Sequence, residues 1–342
     1  MKHLNACIDT LFCEKAVGNL IVRVGRGEEI LCDVFRSAEE RTLTERTLFD
    51  MASVTKIVVT TPLTLIAADL GMLAFDDPVS RYLPVPEDKR ELTVRNLLTH
   101  TMGYGHKSML KHTEGYGTVE RYILSIPLDI PIGSDVRYSC PGFILLGRIL
   151  EQIYGMRLDE AYLQYVAEPL GLVSSRFLPD PSLDFVNSNV SPDMKGVVND
   201  YNRRHLGGIC GNAGLFSDLA DMTRYVGWML AGGAPIVSER IFAEAERNYT
   251  GGMQEPRGLG FLVIDGDYDQ TGGLFRKGSI GHCGHTGQSV FVDRESGLYV
   301  IVLSDATAMT AKKYGKERYS EVTEMRGRLH AAIRKDLGIL PT

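Results

Sequence analysis

The sequence predicts an α+β fold, an antiparallel sheet flanked by helices with a helical region inserted into it. Three observations point there. Strand-like segments gather near the two ends of the 342-residue chain. The middle third reads as helices and turns, with no convincing strand. Where the first strands give way to the helical part, a mostly apolar helix runs from about Ser53 to Leu70. The economical arrangement builds the sheet region from 1–75 and 205–342 and inserts 76–204 as a mostly helical region. A cleft between the two parts is the natural place for a site, and Ser53 falls at that seam.

Taken in order, Leu4, Ile8, Leu11 and Phe12 follow helical spacing. Residues 18–25 and 29–35 read as a hairpin. Pro62 should bend the central helix or mark a break in its hydrogen-bond ladder. Residues 76–84 are turn-rich, and Thr93 can cap a short helix over 94–100. Further helices are expected near 119–125, 142–154 and 159–166. In the second of these, Phe143, Leu146, Ile149, Leu150 and Ile153 share a face. Residues 177–201 are polar, with Pro179, Pro181 and Pro192, and read as a long surface connection. The glycine-rich 207–216 reads as close backbone packing against a helix that Ser217 caps and that runs to about Leu230. A phosphate loop is disfavoured, because no lysine follows in the required place. Strands are expected from 258–263 onward, most clearly at 289–293 and 298–303. A last helix covers about 320–337.

Composition narrows the function. The chain is 44% hydrophobic and 23% charged, as in ordinary globular proteins. A net charge of -6 without a strong basic patch argues against nucleic acid or an anionic membrane as partner. Asn5 and Asp9 interrupt what would be the apolar core of a signal peptide. No run of about 18 apolar residues is evident, so no membrane span is expected. Six cysteines without a Cys-x-x-Cys pair read as reduced thiols in a cytoplasmic protein.

Ser53 and Lys56 lie three residues apart at a helix start, on one face. Free backbone N–H groups there can stabilise an oxyanion, and a neutral lysine amine can take a serine proton. Ser-x-x-Lys is a weak motif and recurs at Ser108 and Lys111. That copy sits in a glycine-rich loop with no helical face to hold it, and reads as a chance match. Tyr138-Ser139-Cys140 before a helix and Gly284-His285-Thr286-Gly287 before a strand follow in order.

With these motifs the chain resembles the serine β-lactamase and penicillin-binding-protein superfamily, in its class C-like and esterase branch. Residues 77–84, 97–101 and 214–217 also look like family signatures, and the likeness covers nearly the whole chain. The resemblance implies a β-lactamase-like fold with no cofactor. It implies that Ser53 is the acylated nucleophile and that Lys56 and Tyr138 move its proton. A phenol beside an ammonium is expected to be stabilised as phenolate. The resemblance also implies an oxyanion hole made by the backbone N–H groups of Ser53 and Gln288. Cys140, His285, Thr286 and Gly287 fall at substrate-binding or supporting positions.

Two departures stand out. Cys140 replaces the family's usual asparagine, removing an amide. His285 replaces the usual lysine, removing a permanent cation, since an ordinary histidine is mostly neutral at pH 7. Both weaken the case for a good β-lactamase or a D-alanyl-D-alanine carboxypeptidase. The expected activity is that of a serine hydrolase on small carboxylic esters, with amides as the alternative substrates and a catalytically silent binding domain as the rival class. A zinc site at His282, Cys283 and His285 is set aside, because no fourth ligand is suggested.

Overall fold

A computed structural model describes residues 1–105, 118–200, 204, 206–266 and 268–340. The Ser108–Lys111 pair lies outside the described residues. The main sheet contains β1 (Asn19–Arg26), β2 (Glu29–Ser37), β5 (Leu262–Val263), β6 (Ile280–Cys283), β7 (Ser289–Val292) and β8 (Leu298–Ser304). Their order is β2-β1-β8-β7-β6-β5, with every pairing antiparallel. The two ends of the chain meet where β1 pairs with β8, from Leu20 opposite Ser304 to Arg26 opposite Leu298. Alternation along these strands serves two cores. Ile21, Ile301 and Leu303 face the main helical body. Val22, Val24, Val300 and Val302 face α1 (Lys2–Cys13) and the last helix, α10 (Tyr319–Asp336). A separate two-stranded ribbon joins β3 (Phe49–Asp50) to β4 (Phe216–Ser217).

The central helix is not uniform. It begins as a 3-10 turn at Ala52–Val54, continues as a π-helix at Lys56–Thr60 and becomes α2 at Thr61–Asp69. Pro62 sits in the first turn of α2, where its missing N–H costs little, and the π stretch takes up the break. By length and composition alone the run Ala52–Asp69 could cross a membrane. It is 89% buried within the fold, which uses it as a core helix.

Beyond it come α3 (Val94–Leu98), α4 (Val119–Ser125), α5 (Cys140–Tyr154) and α6 (Leu158–Tyr162). Thr93 caps α3 as expected, accepting from the Asn96 N–H. The glycine-rich segment does pack by backbone. A Cβ on Gly211 would lie 2.2 Å from the Phe143 carbonyl oxygen of α5. Its following helix, α7 (Leu219–Leu230), is capped by Asp218 and not by Ser217. Asp218 accepts the Asp221 N–H at 2.8 Å, while Ser217 is committed to the β4 ribbon opposite Phe49. The segment 177–201 is also more than a surface connection. Phe185 and Val198 bury against Leu48 and Phe216, covering the β3–β4 ribbon. Among the described residues, two helices of eight residues or more went unanticipated, α8 (Glu239–Glu246) and α9 (Ala306–Tyr314). The buried face of α9 is Ala306, Thr307, Ala308 and Thr310, which leaves little apolar periodicity to detect.

Candidate active site

The strand β3 leads directly into Ser53 through a constrained turn. Ala52 has φ of +44°, a left-handed conformation that costs an L-residue of order 1 kcal/mol. Asp50 secures it by accepting the Ala52 N–H at 2.9 Å. The same carboxylate accepts the Asn199 N–H at 2.7 Å and the Ser188 hydroxyl at 3.3 Å. Burial pushes the Asp50 carboxyl up, and these donors pull against that.

One turn onward, Lys56 has no surface exposure. Its Nζ lies 3.0 Å from Ser53 Oγ, 3.0 Å from the Asn212 carbonyl oxygen and 3.6 Å from Cys140 Sγ. Ser53 itself is half-buried and opens on the cleft. The carbonyl of Asn212 comes from the glycine-rich stretch, which therefore helps to aim the lysine.

Tyr138 precedes the α5 cap, where Ser139 accepts the Gly142 N–H at 3.2 Å. The Ser139 N–H donates to His100 Nδ1 at 2.9 Å. The Tyr138 ring centroid stands 4.6 Å from that of His100 and 6.1 Å from that of His282. Lys56 Nζ is 5.0 Å from the ring centre and Arg257 Cζ is 5.5 Å. Tyr138 keeps some exposure to the cleft. Even so, burial pushes its phenol well above the ordinary value, and Cys140 adds to this. The contacts with Ser53 and Arg257 act the other way and do not prevail. Desolvation thus outweighs Arg257 and opposes the expected phenolate, favouring the neutral phenol.

The third motif forms the turn between β6 and β7. Gly287 has φ of +121°, and a Cβ there would lie 2.1 Å from Ser304 Oγ. Only glycine meets both demands. Thr286 donates to the Asp50 carbonyl oxygen at 2.8 Å, and Gln288 Nε2 donates to the same oxygen at 2.7 Å. These bonds tie the turn carrying Gln288 to the strand that feeds Ser53. From α10, Arg326 Nη1 donates to the Gly284 carbonyl oxygen at 2.9 Å. His285 lies on the outer side, its side chain 41% exposed, with Nε2 2.8 Å from Glu317 Oε2. Its ring stacks on Tyr319 at 5.3 Å between centroids. The bond to His285 holds the Glu317 carboxyl below its ordinary range.

Ser53, Tyr138, Cys140 and His285 all line one cleft of about 710 Å³, as do Ala52, His282 and Cys283. Thr286 and Gln288 stand behind it, buried and committed to Asp50. Sequence reasoning missed several residues of this cleft, among them Arg257, Asp200, Arg204 and Glu317. Arg257 precedes a glycine-rich approach to β5, a setting with no chemical signature of its own. His282 Nδ1 faces the Cys283 carbonyl, and His285 is held by Glu317. Among the described residues, no three His, Cys, Asp or Glu side chains gather as metal ligands would.

A family model described as Beta-lactamase matches residues 11–322. A protein of Escherichia coli (strain K12), named as a candidate D-alanyl-D-alanine carboxypeptidase, is 29% identical over 304 residues. The match covers 77% of this chain and 70% of that protein. Among solved structures, an octameric penicillin-binding protein homologue from Pyrococcus abyssi superposes with a TM-score of 0.73 at 20% identity, over 92% of this chain and 77% of the other. EstCE1, a hydrolase with promiscuous acyltransferase activity, superposes with a TM-score of 0.75 at 20% identity, over 95% and 98%. Unliganded simvastatin synthase from Aspergillus terreus gives 0.74 at 16% identity, over 97% of each chain. At such identities the structural likeness concerns the fold.

Proposed function

The chain belongs to the β-lactamase family and is a serine hydrolase, and on that premise we propose that it acts through an acyl-enzyme on Ser53, on small carboxylic esters. The observation that carries this reading is the 3.0 Å contact between Lys56 Nζ and Ser53 Oγ at a fully buried lysine. Burial disfavours the charged form of an amine, and a base must be neutral. Lys56 takes the Ser53 proton as Oγ attacks the ester carbonyl. The backbone N–H groups of Ser53 and Gln288 receive the developing oxyanion. Tyr138, held as a neutral phenol, donates its proton toward the leaving alkoxide and is reprotonated from Lys56. Water then attacks the acyl-Ser53 ester, giving up its proton to the same pair. The cleft that holds these steps lies between the sheet region (1–75 and 205–342) and the helical insertion (76–204).

The preference for esters rests on two residues. Cys140 offers no amide to an amide substrate. His285 is partnered by Glu317, so even its protonated form is largely neutralised toward an anionic substrate. A second reading, an amide hydrolase, is favoured by the name of the Escherichia coli relative. A cytoplasmic setting rests on the reading of the cysteines as reduced thiols, since no Cys-x-x-Cys pair occurs in the sequence. The test is labelling with a fluorophosphonate and peptide mass mapping, together with turnover of p-nitrophenyl butyrate and of a chromogenic cephalosporin. Label on Ser53 and faster ester turnover are expected. Absence of label on Ser53 would overturn the acyl-enzyme, and a faster cephalosporin would overturn the ester preference.

A further inference from the structure

Tyr138 is gripped by a residue that takes no part in the proton transfers themselves. The carbonyl oxygen of His100 accepts the Arg137 N–H at 2.9 Å. Its ring Nδ1 accepts the Ser139 N–H, also at 2.9 Å. The residues on either side of Tyr138 are thus fastened to one partner. The imidazole lies against the Tyr138 ring as well, with 4.6 Å between centroids and 37° between planes. Phe143 of α5 backs it at 5.1 Å. His100 has no surface exposure, so it reaches Tyr138 but not a substrate.

Three demands meet at this position. The backbone is left-handed, with φ of +59°. Besides glycine, such a φ suits asparagine, aspartate and histidine best. The Ser139 N–H takes an acceptor two bonds beyond Cβ, and the Tyr138 ring lies on a flat surface. Asparagine would meet the first two demands and phenylalanine the third. Histidine meets all three, provided that its ring is neutral. A backbone N–H can only donate, so Nδ1 carries no hydrogen. Burial, then Arg257, Lys56 and His282, hold this imidazole well below its ordinary pKa and keep it in that form.

Proton transfer is sensitive to such a grip. A phenol that serves a leaving oxygen must lie within hydrogen-bond reach of it. A misplacement of about 1 Å can cost about 10²-fold in rate.

We propose that His100 is the positioning residue of Tyr138, aiming its phenol at the leaving-group oxygen. This rests on the acyl-enzyme reading above, with Tyr138 as the proton donor. The experiment compares kcat/KM for p-nitrophenyl butyrate and ethyl butyrate, which form the same acyl-enzyme. The first expels a stabilised phenolate that needs no proton, and the second an alkoxide that does. Rates are expressed per Ser53 titrated with fluorophosphonate, which removes unfolded enzyme from the comparison.

His100→Phe keeps a ring and loses the acceptor. Ethyl butyrate should then lose about 10-fold more than p-nitrophenyl butyrate. His100→Asn keeps the acceptor and suits the backbone, and should recover part of that selective loss. Tyr138→Phe should show the selective loss too, and adding His100→Phe to it should deepen it no further. Equal losses on the two esters in the His100 variants would leave His100 a residue of the fold alone and overturn the proposal. So would a selective loss that adds in full to that of Tyr138→Phe. Nitrogen NMR of the wild type tests the grip whether or not any variant folds. A neutral His100 ring with its hydrogen on Nε2 is expected at pH 7, and a hydrogen on Nδ1 would overturn the proposal. Absence of label on Ser53 would overturn the acyl-enzyme reading and the proposal together. Label on Ser53 with equal losses in the His100 variants and a selective loss in Tyr138→Phe would overturn the positioning role alone.

Discussion

The Ser53 side of the cleft is buried and local, whereas the His285 side is partly open and assembled from distant parts of the chain. On the first, Ser53 and Lys56 are three residues apart, and Lys56 has no exposure. On the second, His285 is 41% exposed and is held by Glu317, with Tyr319 stacked upon it. Arg326, further along α10, fixes the turn at Gly284. On the proposed mechanism the difference separates two tasks. Bond-breaking groups need a dry environment in which proton affinities can be shifted. Groups that sort substrates can stand in contact with water and be changed with less damage.

If that contrast is real, the largest effects must come from the Ser53 side. Lys56→Met should lower the acylation rate about 10³-fold or more, in the upper range for loss of a positioned base. The amplitude and rate of a pre-steady-state burst with p-nitrophenyl butyrate measure it. A burst as fast as that of the wild type would break the contrast at its root.

Tyr138→Phe comes next. Loss of the phenol should reduce kcat by about 10²-fold while KM changes little. Because burial raises the Tyr138 pKa, its deprotonation should produce no alkaline fall in activity below about pH 10. A fall near pH 8 that disappears in Tyr138→Phe would show that the phenol is not held neutral.

The third measurement sharpens the contrast from behind the His285 side, where His330 of α10 is buried and its pKa is lowered to about 4. Burial is the main cause, with Arg326 adding to it. The unfolded chain binds this proton near pH 6.5 and the folded chain only near 4. The stability contributed by the neutral ring is therefore complete above about pH 6.5 and is lost as pH falls toward 4. At pH 5 the loss should be about 2 kcal/mol. His330→Phe should flatten the dependence of Tm on pH between 6.5 and 5. An unchanged slope would remove His330 as its source.

The smallest effect belongs to His285→Lys. Glu317 would pair with the new cation, so cephalosporin turnover should rise only a few-fold relative to ester turnover. Adding Glu317→Gln should widen the gain, because the cation is then left to the substrate carboxylate. Equal gains in the single and double variants would show that Glu317 does not mask charge at this position.

The parts legible in sequence were those carried by short-range chemistry. Helical spacing placed α1 and α5, and β1, β2, β7 and β8 were legible as strand-forming runs bounded by turns, of which β1, β7 and β8 prove buried on both faces. Ser53 and Lys56 could be paired from their spacing on one turn, and Gly287 stands where a positive φ and a close approach leave no room for a side chain. What only the tertiary structure decided depends on groups far apart in the chain. The neutral state of Tyr138 follows from burial, which no local pattern reports. The meeting of Lys56 with the Asn212 carbonyl, and of His285 with Glu317, joins residues 156 and 32 positions apart. Arg257 joins the cleft only because its segment bridges Leu262 at the β5–β6 edge, far in sequence from Ser53 and Tyr138. Residue type sets what a group can do, but solvent exclusion and the company it keeps set which of those things it does, and both arise from packing the chain against itself.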